Sequence, residues 1–273
     1  MPPTVVGHPP TLYSASMVRS LFATGMVVFL TLLFGVPALV LSLLFPRGEW
    51  VLRLGRPWAR GICAAAGVSV EARGAENVPA DRPVLLLANH QSNFDVVALV
   101  LTIPVSFRVV AKRLLCRIPI FGWCLSLAGM IPIDRAKRAQ AIQSLEQAAE
   151  RVRHGKPVLL FPEGTRSRDG ALLPFKKGAF VIAQTSGVPI VPVSITGSHS
   201  ILRKGSILPR PGHIVVRYGR EIPPAGPGTA ERERLMEMVR GAIQSGLGEE
   251  GGAPALTGDA LGRPGSRQQR GGA

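Results

Sequence analysis

The chain has 273 residues, enough for one sizeable domain with appendages and a fully buried core. Lys and Arg number 32 against 17 Asp and Glu, so 32 − 17 leaves +15, while 46% of the residues are hydrophobic. That charge calls for an anionic partner, and the hydrophobic content favours a bilayer surface over nucleic acid. The three cysteines, Cys63, Cys116 and Cys124, are odd in number and lack metal-ligand spacing, which excludes a disulfide framework and fits a reducing, cytoplasm-facing compartment.

After a tail over residues 1–16, Leu21 to Phe45 forms a run of 25 residues without a charge. As one helix it would extend about 37 Å, enough to cross a hydrocarbon core of about 30 Å. Gly35 and Pro37 interrupt it, and proline favours a kink or a break into two shorter helices. Spanning, monotopic embedding and a cleaved signal are the three placements; no small-x-small cleavage site follows the run, which weighs against the third. Arg19 is the only basic residue before the run, whereas Arg47, Arg53, Arg56 and Arg60 follow it, so the C-terminal side is expected in the cytoplasm. Residues 17–60 therefore read as a membrane-embedded helical segment with a basic interfacial helix.

Residues 61–245 read as one α/β domain with a mostly parallel central sheet flanked by helices. Six apolar runs have strand length: Val84–Ala88, Phe107–Ala111, Met130–Ile133, Val158–Phe161, Ile190–Ile195 and Ile214–Tyr218. They are near-continuously apolar, as strands covered on both faces are. Helical periodicity fills Arg138–Arg153 and the stretch after Thr229, and strands alternating with helices imply a largely parallel sheet. Residues 246–273 are rich in Gly, Pro, Arg and Gln and are expected to lack a packed structure.

Two segments carry chemistry. Asn89-His90-Gln91-Ser92-Asn93-Phe94-Asp95 follows an apolar strand, so His90 should emerge at the strand's carboxyl end, where open α/β sheets place their sites. Asp95, in the first turn of the next apolar helix, could hold one ring nitrogen and leave the other to take a proton from a hydroxyl. An N-capping carboxylate beside a surface histidine is the competing interpretation. Phe161-Pro162-Glu163-Gly164-Thr165-Arg166-Ser167 also follows a strand: Gly164 permits a tight turn, Glu163 could pair with Arg166 or orient an alcohol, and Arg166 offers a planar fork suited to phosphate. An ordinary acidic turn with a surface arginine is the alternative here. Over 108–138 seven basic residues, including Lys112 and Arg135, oppose only Asp134. Arg135 ends an apolar strand and is a second phosphate candidate.

These residues resemble the glycerolipid acyltransferase family, specifically the 1-acyl-sn-glycerol-3-phosphate acyltransferases. Four blocks in order carry the resemblance: Asn89–Asp95, Gly129-Met130-Ile131-Pro132-Ile133-Asp134-Arg135, Phe161–Ser167 and Val188–Ile195. The resemblance implies an α/β sheet domain held to a membrane by N-terminal helices. It implies transfer of an acyl group from acyl-CoA or acyl-carrier protein to the hydroxyl of lysophosphatidic acid, with the donor as co-substrate and neither cofactor nor metal. His90 would be the base and Asp95 its orienting partner; Arg135, Glu163, Gly164, Thr165, Arg166 and Lys112 would bind the acceptor. One departure stands out: Leu114 occupies a position where the family usually has a glutamate, which leaves Lys112 without that partner. Another lysophospholipid or glycerol 3-phosphate is the alternative acceptor. A non-catalytic basic membrane-surface or nucleic-acid-binding protein would explain the charge but gives no reason for His90 at a strand end. A thioester hydrolase would release fatty acid without an acceptor.

Overall fold

The computed structural model describes residues 11–45, 49–133 and 138–248, so Arg135, residues 1–10 and 249–273 of the expected tails lie outside the described residues. Two helices lead, α1 (Thr11–Leu44) and α2 (Glu49–Ala66). The α/β part follows as β1 (Val68–Arg73), β2 (Leu85–Ala88), α3 (Phe94–Thr102), β3 (Arg108–Lys112), α4 (Phe121–Leu127), β4 (Ile131–Ile133) and α5 (Arg138–Arg153). It continues with β5 (Val158–Leu160), α6 (Lys177–Ser186), β6 (Ile190–Thr196), α7 (Ser198–Ile201), β7 (Gly212–Tyr218) and α8 (Thr229–Gly248).

The strands form one sheet in the order β1-β7-β6-β2-β5-β3-β4. From β6 to β4 every pairing is parallel, in keeping with the expected fold class, whereas β7 runs antiparallel to β6 and parallel to β1. The connection between β6 and β7 holds only the short α7 and a ten-residue loop, without the long crossover helix that usually joins parallel neighbours.

The apolar continuity of the strands has the cause expected of it. Leu86 and Ala88 of β2 pack with Leu159, Val191 and Val193 toward α1, α2 and α3. Leu85 and Leu87 pack with Val158, Leu160 and Ile190 toward α5, α6 and α8. Alternate side chains thus enter two cores on opposite sheet faces, and all of β2 is buried. Within the described residues the parallel strands all end at the same edge, which carries the site.

Of the kink or break expected at Gly35 and Pro37, the break does not occur: α1 is a single helix with Pro37 inside it. Gly35 serves close packing instead: a Cβ there would lie 2.6 Å from Ile120 Cγ2, beside α4. Two further boundaries differ from the sequence expectation. Helix α2 crosses residue 60 without interruption, since Ala59, Ile62, Cys63 and Ala66 are buried, and α8 runs on to Gly248, past residue 245.

Helix α1 leaves an apolar flank uncovered. Leu21, Phe22, Val28, Phe29, Leu32 and Leu33 are each at least 47% exposed. Residues Met17–Leu44 are long and apolar enough to cross a membrane. The other flank is tied to the domain along its length. Ser20 Oγ donates to Pro209 O (2.9 Å), Trp58 Nε1 donates to Thr31 Oγ1 (3.1 Å), and Ala38 and Ser42 are buried.

Candidate active site

Strand β2 leaves the sheet at Ala88 while β6 continues to Thr196, which strips Ile195 of a backbone neighbour on that side. The Asn89 side chain takes over the ladder: its amide donates to Ile195 O (2.9 Å) and its carbonyl accepts from Ile195 N (2.7 Å). Such a swap satisfies both buried groups and frees the chain to turn. His90 is the first residue past that turn.

The His90 ring stacks on Phe161 with centroids 4.0 Å apart, and its Nδ1 lies 2.8 Å from Asp95 Oδ2. Asp95 is completely buried and sits in the first turn of α3, where the helix dipole favours a carboxylate. The same Oδ2 accepts from Gln91 N (2.7 Å) and Ser92 N (2.8 Å). With the carboxylate held by two fixed amides, Nδ1 is its donor, and Nε2 is left as the ring's proton acceptor. The two residues expected to act together are therefore in hydrogen-bond contact, and the Asp95 oxygen serves the imidazole as well as the amides of Gln91 and Ser92.

The second loop is zipped onto the first. Glu163 Oε1 accepts from His90 N (2.6 Å), Glu163 Oε2 accepts from Leu173 N (2.8 Å), and His90 O accepts from Ser167 N (2.9 Å). Both backbone groups of His90 thus bond to the loop carrying Arg166, one residue from Ser167. Gly164 makes the turn at φ 69°, a region other residues adopt at a cost. The Arg166 guanidinium has no hydrogen-bond or ion-pair partner among the described residues, which leaves its fork open. Thr165 is exposed, and its Oγ1 accepts from Lys204 Nζ (3.0 Å).

Both Glu163 oxygens accept from backbone amides, so the side chain fastens the two loops together, and it makes no ion pair with Arg166 among the described residues. It is 1% exposed, and burial pushes its carboxyl above the ordinary value of 4.5, the two amide bonds pulling partly back. A raised native value means that Glu163's share of stability is whole below 4.5 and is lost as pH rises through the native value. We expect the melting temperature of the wild-type protein, relative to Glu163→Gln, to fall as pH is raised from about 4.5 to about 7.5. Parallel thermal-melt profiles for the two proteins would contradict this. Glu49, Glu71 and Asp169, whose values hydrogen bonds lower, act alike in both and cancel.

Lys112 ends β3, two strands from β2 and so about 10 Å along the same edge. It is exposed, as is Leu114 at 64%. Arg135 lies outside the described residues; β4, which precedes it, ends at this edge. Sequence reasoning missed Lys204, whose ammonium bonds Thr165 and also donates to Arg166 O (2.9 Å). Its only signal was a basic pair, Arg203-Lys204, after the fourth block, and nothing in sequence joins it to a turn 38 residues upstream.

Beside α3 an apolar cavity of about 110 Å³ runs between α1, α2, α4 and the sheet, lined by Phe34, Trp58, Val96, Val100, Phe107 and Leu159 among others. Val96 follows Asp95 directly, and Phe161, under the His90 ring, packs on the same core.

Residues 69–196, which hold all four blocks, match the Acyltransferase family model. A chloroplastic 1-acyl-sn-glycerol-3-phosphate acyltransferase of Brassica napus is 42% identical over 135 residues, 49% of this chain and 39% of that protein. The 1-acyl-sn-glycerol-3-phosphate acyltransferase of Limnanthes douglasii is 36% identical over 207 residues, covering 74% of this chain and 72% of its own length. The chain thus spans under half the length of the Brassica relative and nearly three quarters of the Limnanthes one. The crystal structure of the 1-acyl-sn-glycerophosphate acyltransferase from Thermotoga maritima superposes with a TM-score of 0.77 at 26% identity, over 89% of this chain and 99% of that one. With blocks, fold and these likenesses in agreement, the chain belongs to the 1-acyl-sn-glycerol-3-phosphate acyltransferase family.

Proposed function

We propose that the protein moves a fatty acyl group from a thioester, acyl-CoA or acyl-carrier protein, to the free hydroxyl of 1-acylglycerol 3-phosphate, making phosphatidic acid. One observation carries the reading. The imidazole is oriented by a buried carboxylate, and both backbone groups of the same histidine are fastened to the loop bearing the open Arg166 fork.

The chemistry follows from that juxtaposition. His90 Nε2 takes the hydroxyl proton as the acceptor oxygen attacks the thioester carbonyl, and Asp95 stabilises the imidazolium that forms. The new ester C–O bond forms as the C–S bond breaks, and the imidazolium returns its proton to the departing thiolate. Arg166, with Arg135 and Lys112 along the same edge, would hold the acceptor's phosphate, so that hydroxyl and base meet without a further loss of freedom. The apolar cavity beside α3 suits an acyl chain. Purified protein given acyl-CoA and lysophosphatidic acid should release free CoA and form phosphatidic acid. Release of fatty acid without an acceptor, or no turnover on any lysophospholipid or on glycerol 3-phosphate, would contradict the proposal.

We further propose that α1 lies in one lipid leaflet rather than crossing the bilayer, with the α/β domain on the cytoplasmic side. Its contacts with the domain run from Ser20 to Ser42, about 33 Å of helix, and a crossing helix would pull that polar domain into hydrocarbon. The uncovered flank continues onto Leu114, Ile118 and Trp123 around α4, and the basic residues nearby suit anionic headgroups. Phe29→Asp on that flank should weaken binding to phosphatidylglycerol vesicles at least about tenfold. Unchanged cosedimentation of this variant would contradict the embedding.

A further inference from the structure

The loop from Leu202 to Pro211, which joins α7 to β7, touches three parts of the molecule that the mechanism treats separately. At its start Leu202 O accepts from Ser92 Oγ (2.8 Å), in the loop that carries His90. In its middle Lys204 Nζ donates to Thr165 Oγ1 (3.0 Å) and Arg166 O (2.9 Å), the turn with the open guanidinium. At its far end Ile207 O accepts from Thr24 Oγ1 (2.6 Å) and Pro209 O from Ser20 Oγ (2.9 Å), both on the apolar helix α1. Ile207 is itself 70% exposed, an apolar side chain at the foot of α1.

An ammonium has three N–H groups, and two of Lys204's are directed at the turn. A third remains for an acceptor from outside the chain. Because Thr165 Oγ1 accepts from the lysine, its own proton is free to donate. Arg166 adds a fork with no partner among the described residues. Among the described residues no carboxylate makes an ion pair with Lys204 or Arg166. Asp95 and Glu163 are engaged by backbone amides, and Asp169 Oδ1 accepts from Ser167 Oγ and Ala171 N. Lys204 and Arg166, which pair with no acid among the described residues, and the free Thr165 hydroxyl supply a cradle of donors suited to a tetrahedral dianion.

We propose that Lys204 is a phosphate-positioning residue, fixing the Thr165–Arg166 turn and adding a second charge to it, while Ser20 and Thr24 hang its loop on α1 and so register the cradle against the lipid surface. The inference rests on the acceptor reading of the cleft, and its test does not depend on turnover. A merely structural lysine would be replaceable by a neutral donor; a phosphate-positioning one is not.

The experiment measures equilibrium binding of 1-acylglycerol 3-phosphate and of 1-acylglycerol, which lacks the phosphate, to the full chain in detergent micelles. Lys204→Gln keeps donors but loses the charge, and should weaken the phosphorylated ligand about tenfold while leaving the other unchanged. Lys204→Arg should recover most of that loss. Ser20→Ala with Thr24→Val should weaken the phosphorylated ligand about threefold at unchanged vesicle binding. Equal weakening of both ligands by Lys204→Gln, or of neither, overturns the proposal, and an unchanged double variant removes the α1 tether from it. If wild-type protein prefers the phosphorylated ligand through Lys204 yet transfers no acyl group to it, the acyltransfer reading fails and the cradle stands.

Discussion

Replacing His90 by alanine should lower kcat by about 10² to 10⁴-fold, the range a positioned general base contributes. The loss should come with little damage to the fold. Asp95 Oδ2 keeps the Gln91 and Ser92 amides, so no buried charge is stranded. Stacking on Phe161 is forfeited, worth about 0.5–1.5 kcal/mol, or a few degrees of melting temperature. Activity and thermal melts of the same preparation separate the two effects. A variant with near wild-type turnover would remove His90 from the mechanism, and one that no longer folds would make it structural.

Asp95→Asn should be almost as damaging to turnover, about 10³-fold, because it removes the charge that steadies the imidazolium. The amide cannot copy the carboxylate. If its oxygen keeps the place of Oδ2, its NH₂ occupies that of Oδ1, a buried atom with no partner among the described residues. If it is turned over, NH₂ faces Nδ1 and the two backbone donors, and the imidazole is driven to the wrong tautomer. Asp95→Ala should additionally lower stability, since it strands the amides of Gln91 and Ser92, at about 1–3 kcal/mol for each buried unsatisfied donor. Rates of Asp95→Asn within about tenfold of wild type would show that orientation of the ring does not need a charge.

Much of this was legible in the sequence because two-sided burial leaves a plain trace. Leu85 to Ala88 read as a strand for the reason they are one: alternate residues enter separate cores. The placement of His90 at the carboxyl edge followed from that strand alone. What sequence did not show depended on partners far along the chain. Strand β1, Val-Ser-Val-Glu-Ala-Arg, alternates with polar residues because it forms the sheet's outer edge, and it went unread. Gly35 and Pro37 resemble a break until α4 is packed against them. The loop-fastening role of Glu163 shows only once its two oxygens meet the amides of His90 and Leu173. Lys204 had no local pattern to mark it, since its meaning lies entirely in a turn brought to it by the fold.

The proposed activity needs one cleft with two separable duties, proton removal by His90 and capture of a phosphate by Arg166. The most direct measurement compares acyl transfer to 1-acylglycerol 3-phosphate and to 1-acylglycerol in wild type, His90→Ala and Arg166→Ala. His90→Ala should depress both reactions by the same factor. Arg166→Ala should lower kcat/KM for the phosphorylated acceptor by about 10²-fold and leave the other reaction nearly unchanged. If instead Arg166→Ala lowers both reactions equally, or neither, the guanidinium does not hold the acceptor's charged end and the account is wrong.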